Sequence, residues 1–436
     1  MRKILFYVSV SILVICVLFM IAGHVARGGK RFGKVLTPVM LAIIDVPINL
    51  IHIYKIKREI PDYVKIADEP IVNNLTEDIF ALHTYQKKNK AVLVNLKTNN
   101  IVHEWNIGNV KKASGTRYFA QLLPQKNIIV FTGVEGYMAR LDSNSKVIWK
   151  IKPKYQFHHN MNIDTDNNIW ICARGNKYLR NKIRQLDDYN NIQPLDTGYF
   201  NDDYSYLFID EYILCINSDN GSIKYEKSLY QLYLENNINP FLTYHGNNAR
   251  LGDIFHLNDI EPINNDSKYF RKGDLLISLR HQNCIFHFSP KSNNIIRIWE
   301  KGFYSQHDVD LINDSIISVF NNNVPIDRDH LIPIKSIQES GSIPVYSNII
   351  WFNYNGELIS LDMINATFEE NKIFTITEGL ADFLSDGKIF IEEQNKYNIW
   401  IIQEDKVLYK GYFNTFAGQD YKEIPNWTKV YEDINF

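Results

Sequence analysis

The chain has 436 residues, of which 22% are charged and 45% hydrophobic, with a formal net charge of -2 at pH 7. That is a globular composition long enough for one large domain or two ordinary ones. It has neither the basic excess that nucleic acid requires nor an acidic tail, so nucleic acid is excluded as a partner. Aromatic residues reach 13%, with 26 Tyr and 24 Phe, which favours strands because flat side chains pack well on a pleated surface.

The chain opens with "MRK" and then nineteen residues without a charge, "ILFYVSVSILVICVLFMIA" (4–22). This run is about the length that spans a bilayer, and the small-residue exit site of a cleaved signal is poorly defined behind it. Residues 1–34 are therefore expected to be a membrane anchor, an uncleaved transmembrane helix with a basic flank. A second apolar run, 35–54, is interrupted by Asp45, Pro38 and Pro47. An interfacial or packed helix is preferred there over a second span, with 35–74 serving as segment and linker. Positive charge on both sides of the first run leaves its orientation open.

From about residue 75 onward one unit recurs, in which an apolar strand, a polar turn and a second strand often end in an aromatic. The copies are 91–105, 137–151, 212–227, 284–299, 357–372 and 398–412, each with alternating apolar residues around central Asn, Asp, Ser or Gly. Each reads as a β-hairpin. Most follow another strand pair, at 118–133, 157–175, 255–283, 304–323 and 379–395, with 79–86 as a degenerate sixth. Two strands plus a hairpin make a four-stranded sheet, and six in series make a propeller. The expected fold is all-β, a six-bladed β-propeller over 75–436 with an N-terminal transmembrane helix. The tail "NWTKVYEDINF" is a candidate closing strand, and 176–211 and 324–356 are read as loop insertions. The competing count is seven blades, with 348–362 as a partial blade. Cys172, Cys215 and Cys284 are far apart and form no CxxC, so isolated buried thiols are expected and a zinc site is not.

In a propeller the first strand of each blade lines the channel. At the head of that strand the successive blades carry Phe119, His158 with His159, His256, His307 and Ala381. Histidine thus recurs in three blades at one place in a chain with only 12 histidines. Second strands end at the same rim in Arg174, Arg280 and Asn321–Asn323. Taken singly, each histidine is as well explained by an ordinary buried or paired imidazole; the shared position is what argues for one pocket. Alternation along a strand turns His281 away from it. A guanidinium beside imidazoles repels a dication and suits a tetrahedral anion, so no metal and no dissociable cofactor is expected.

At these residues the chain resembles the bacterial arylsulfate sulfotransferases that use no nucleotide donor. The resemblance rests on "FHLNDI" followed by "LLISLRHQN", then "QHDVDL" followed by "SIISVFNNN", with "FHHN" and "DGKIFIEEQN" in support. It implies a six-bladed propeller outside the cytoplasm, held at the inner membrane and facing the periplasm or cell exterior. It implies transfer of a sulfuryl group from a phenolic sulfate donor to a phenol acceptor. By the same resemblance His307 is the nucleophile, and His256, Asn258 and Arg280 hold the sulfuryl and bridging oxygens. His159, or alternatively His158, is a further active-site histidine. The N-terminal β domain through which members of the family dimerise has no room in 55–78, which leaves the oligomeric state open. Two other classes compete. A non-catalytic, membrane-tethered propeller that binds a ligand or partner predicts that loss of His307 is harmless. A quinone-dependent dehydrogenase needs an acidic calcium cluster, for which Glu392 and Glu393 are too few.

Overall fold

In the computed structural model, the described residues are 63–66, 70–85, 88–110, 117–133, 136–175, 210–239, 253–300, 302–324, 346–414 and 421–434. The expected anchor at 4–22, the apolar run at 35–54 and all but the last two residues of the insertion read at 176–211 lie outside them, and Glu211 begins a strand. No helix among the described residues is long and apolar enough to cross a membrane. Residues 62–436 form one compact unit.

Six antiparallel sheets, of four strands in blades 1 to 5 and five in blade 6, make a six-bladed propeller, and a separate three-stranded sheet joins Tyr63–Lys65, Tyr421–Glu423 and Phe413–Asn414. Blade 2 runs from Tyr118–Leu123 to Val147–Ile151, blade 3 from Tyr155–Ile163 to Ile223–Ser228, and blade 4 from Leu257–Pro262 to Asn294–Trp299. Blade 5 runs from His307–Leu311 to Leu358–Ile359, and blade 6 from Leu380–Phe383 to Lys406–Gly411, with Val72–Asn73 added at its outer edge. Blade 1 takes Phe80–Tyr85, Lys90–Asn95 and Asn100–Asn106 from the start of the ring and Lys429–Tyr431 from the tail. The tail therefore closes the ring as the innermost strand of blade 1. Glu392, fully buried, accepts the backbone N–H groups of Trp427 (3.0 Å) and Thr428 (2.8 Å) and so fastens that closure.

Second strands such as Asn127–Thr132, Leu275–Leu279 and Lys388–Glu393 are buried along their whole length, because neighbouring blades cover both faces. Fourth strands such as Val147–Ile151 alternate between half-buried and exposed, as edges must. Ile128 and Val130 face blade 1 while Ile129 and Phe131 pack on the opposite side of the same strand. Each side chain buried this way contributes on the order of 1.5–3 kcal/mol. Cys172, Cys215 and Cys284 are buried free thiols.

Blade 5 corrects the sequence reading. Its third strand is Asn348–Asn353, inside the segment taken as a loop insertion, and pairs in full with Ile316–Asn321. The expected hairpin at 357–372 is instead a two-residue strand followed by a helix, Asp362–Glu370. Phe368 is fully buried on that helix and packs with Phe320, one turn beyond Ile364, so the apolar spacing is helical rather than alternating. With 348–359 used to complete blade 5, the described residues form six blades.

One polar residue from each innermost strand meets at one level of the channel: Gln121, Asn162, Glu261, Asp310, Asp382 and Lys429. They pair across to Ile129, Trp170, Leu276, Ser318, Phe390 and Leu82 of their second strands. Asp259 and Asp308 lie just above and bind the backbone N–H of the next blade, at Val309 (2.8 Å) and Ala381 (2.7 Å). Burial raises all five carboxyls, and Lys429 partly offsets it for the four other than Asp310, which its acidic neighbours raise further; Asp259 reaches about 6. Folded values above unfolded ones mean stability that is complete below the unfolded carboxylate range and lost as pH rises through the folded values. Asp310→Asn is accordingly expected to raise the melting temperature at pH 8, by about 2 °C per kcal/mol recovered, and to change it little at pH 5. An unchanged or lower melting temperature at pH 8 would show that the channel carboxylates do not repel one another.

Candidate active site

The inner strands of blades 3, 4 and 5 each carry an irregularity near the rim, between Phe157 and Met161, Leu257 and Asp259, and His307 and Val309. His159 (φ 56°) and Asp308 (φ 53°) adopt left-handed backbone within these irregularities, and His256 (φ 50°) does so one residue before that of blade 4. Such a conformation is costly for a residue with a Cβ and gathers where a side chain must be re-aimed. Here it brings three imidazoles together. His159 lies 5.1 Å from His256 and 5.9 Å from His307, measured between ring centroids.

Arg280 and His281 join them by a different route. The second strand of blade 4 ends at Leu279, and Arg280–Gln282 form a 3₁₀ turn whose N–H groups bond back to His256 (3.1 Å) and Phe255 (3.2 Å). Arg280 Nη1 then lies 3.1 Å from His281 Nε2, and the His281 ring lies 4.3 Å from that of His256. The expectation that His281 faces away is therefore wrong, because strand alternation stops where the strand stops. Asn258, fully buried, sits in the blade 4 irregularity and donates from Nδ2 to the carbonyl of Gln306 (2.6 Å), directly beside His307.

His307 is 1% exposed, and its Nδ1 is 2.6 Å from Asn322 Oδ1. Asn322 Nδ2 donates to the carbonyls of Thr375 (2.9 Å) and Glu378 (2.6 Å), so its oxygen must face the ring. The imidazole thus donates from Nδ1 and keeps its lone pair on Nε2. Burial first, and Arg280 second, push its pKa down to about 3. The ring is neutral across the physiological range.

His256 has a different partner. Its Nδ1 lies 2.8 Å from Asp253 Oδ2, and Arg174 Nη2 lies 3.4 Å from the same oxygen. Burial alone would raise Asp253, but His256 and Arg174 outweigh it and hold the carboxyl well below its usual range. Arg174 is itself fixed by Glu211 at 2.8 Å. His158 places Nε2 2.7 Å from Glu211 Oε2 and Nδ1 2.6 Å from His159 Nδ1, which makes it a support for His159 at the edge of the cluster. Burial and the surrounding His158, His256, His307 and Arg174 hold His159 neutral. Trp427 of the closing tail forms the facing wall, 6.0 Å from His159 and 6.3 Å from His307.

Sequence reasoning missed Asp253, Glu211 and Trp427, and it noted Asn322 only as part of a rim run. None of the first three falls at a position repeated between blades, so nothing in the hairpin pattern marks them. Asp253, His256 and His281 bring possible metal-ligand atoms within 4.8 Å of one another. The guanidinium of Arg174 lies 3.4 Å from both Asp253 Oδ2 and His256 Nδ1, on two of the three residues a dication would need, so the donor set suits an anion better. Glu392 and Glu393 are committed to structure, Glu393 accepting from Phe374 N (2.8 Å) and Trp400 Nε1 (3.0 Å).

No curated protein matches the chain. Among solved structures it is similar to a protein of unknown function from Bacteroides caccae, at 13% identity over 77% of this chain and 93% of that one, with a TM-score of 0.45. The WD40 domain of Neurospora crassa Pan2 gives 9% identity over 80% and 86%, with a TM-score of 0.41. A streptogramin B lyase gives 10% identity over 85% and 97%, with a TM-score of 0.40. At these values none of them bears on the chemistry of this chain. The arylsulfotransferase (ASST) family profile, in contrast, matches residues 119–408, which span blades 2 to 6 and every histidine of the cluster. The chain belongs to the arylsulfotransferase family.

Proposed function

We propose that the protein transfers a sulfuryl group from a phenolic sulfate ester to a phenol in two displacements through a sulfated His307. The observation that carries this reading is the Asn322–His307 hydrogen bond, which leaves a neutral Nε2 lone pair beside a buried arginine. In the first step Nε2 attacks sulfur, the N–S bond forms, and the bond from sulfur to the phenolic oxygen breaks. The departing phenolate takes a proton from a neighbouring imidazolium, charged by proton uptake when the anionic donor binds, which leaves the neutral imidazole. In the second step the acceptor hydroxyl attacks the same sulfur, its proton passes to the imidazole, and the N–S bond breaks. Atoms and charge balance without metal or nucleotide. Arg280 offers planar donors to the equatorial oxygens, where charge builds. Splitting the transfer lets donor and acceptor use one pocket in turn.

Initial rates with varied 4-nitrophenyl sulfate and varied phenol are expected to give parallel double-reciprocal lines. Intersecting lines would point to direct transfer in a ternary complex. No sulfation of any phenol would favour a non-catalytic propeller.

A further inference from the structure

The three clustered histidines differ in what stands at Nδ1. For His307 it is a neutral amide, for His159 another imidazole, and for His256 the carboxylate of Asp253. Only the last favours an imidazolium. An amide oxygen fixes a tautomer without paying for a charge on the ring, which suits a nucleophile that must later release sulfur. A second imidazole offers no counter-charge at all. An ionised carboxylate both fixes the tautomer and supports the ring when it gains a proton, which is the requirement for acid–base work.

We propose that Asp253 is the positioning residue of the proton-transfer step: it holds His256 with hydrogen on Nδ1, so that Nε2 delivers the proton to the departing phenolate and recovers one from the acceptor. The inference rests on the sulfotransferase reading above. Asp253 is 4% exposed, and it serves His256 alone by side chain among the histidines within hydrogen-bond reach. Its backbone carbonyl meanwhile accepts from His281 Nδ1 at 2.5 Å, which holds that ring against His256 at a tilt of 36°. Arg174, at 3.4 Å, keeps the carboxylate ionised, so the proton stays on the imidazole side. The charged and titratable groups facing His256 are Asp253, Arg174, His159 and His281. Burial keeps His256 neutral in the empty pocket against the pull of Asp253. A bound sulfate ester adds negative charge beside the ring and moves the balance back toward the imidazolium, so the proton is taken up with the donor. His159 has no carboxylate of its own and stays neutral throughout.

In the reaction the Nε2–H bond breaks as the phenolic O–H forms, and in the second half the acceptor O–H breaks as Nε2–H is restored. Asp253 neither gains nor loses a proton.

The test is Asp253→Asn in the full chain, with two donors of different leaving ability. The amide presents N–H to His256 Nδ1 and reverses the tautomer. Turnover of phenyl sulfate, whose phenolate leaves poorly, is expected to fall by about 10²–10⁴-fold. Turnover of 4-nitrophenyl sulfate, whose phenolate leaves unaided, is expected to fall by less than about tenfold on the same reasoning. Asp253→Glu should recover part of the phenyl sulfate activity. Equal losses on both donors would reduce Asp253 to a structural residue and overturn the proposal. Should the wild-type protein transfer nothing, the sulfotransferase reading fails, and ring-¹⁵N spectra decide the positioning claim by themselves. They are expected to show His256 protonated at Nδ1 in the wild type and at Nε2 in Asp253→Asn, and an unchanged tautomer would overturn that claim.

Discussion

His307→Ala is expected to bring transfer from an aryl sulfate to a phenol down to background, with the melting temperature close to wild type. Covalent catalysis allows no partial loss here, because the proposed N–S bond forms on the Nε2 that Asn322 leaves free, and alanine removes that atom. His256 is committed to Asp253 through Nδ1, and His159 to His158. The low pKa of His307, about 3, has a consequence for the wild type. Protonation of the nucleophile cannot limit the rate above about pH 4, one unit beyond that value. Any acid limb near neutrality must come from another group. Residual turnover in His307→Ala within an order of magnitude of wild type would remove His307 from the mechanism.

Arg280→Lys is expected to lower kcat/KM by about 10²–10³-fold despite the retained charge, the usual cost of losing one preorganised contact to a developing anion. Arg280 is 7% exposed and sits on a 3₁₀ turn tied to His256 and Phe255, so its side chain starts from a fixed backbone, and its Nη1 lies 3.1 Å from His281 Nε2. A lysine ammonium is a point charge on a flexible stem and cannot present two parallel N–H groups to two sulfate oxygens. The loss should appear in the single-turnover sulfation of the enzyme and not in the release of product. A lysine variant that turns over like wild type would mean that charge alone, and not planar geometry, stabilises the transferring group.

Most of the ring could be read from residues because its strands obey period two and its turns carry Asn, Asp and Gly. Blade 5 could not. "LDMINATFEE" holds Ile364 and Phe368 at positions that fit either a short alternating strand or one helical face, and a run that short does not decide between them. The histidines were legible for a different reason: His159 and His307 occupy matching places, each three residues before the channel residue of its blade, Asn162 and Asp310, and repetition exposes what a single residue hides; in blade 4 that place belongs to Asn258, with His256 two residues earlier. That signal ends with the repeat. Asp253 precedes a strand, Glu211 begins one, and Trp427 lies in the closing tail, so their part in the pocket exists only once the ring has closed. His281 shows the converse error, since a rule valid along a strand was carried one residue past its end.

The central claim is a covalent bond between sulfur and His307. Full-length protein is mixed with 4-nitrophenyl sulfate in the absence of acceptor, quenched at alkaline pH and digested, and the peptide containing residues 302–311 is examined by tandem mass spectrometry. A mass increase of one SO₃ group on His307, removed by chasing with a phenol before the quench and absent from His307→Ala, is the predicted result. Release of nitrophenolate with an unmodified His307, or the same increase carried by His159 or His256, would contradict it.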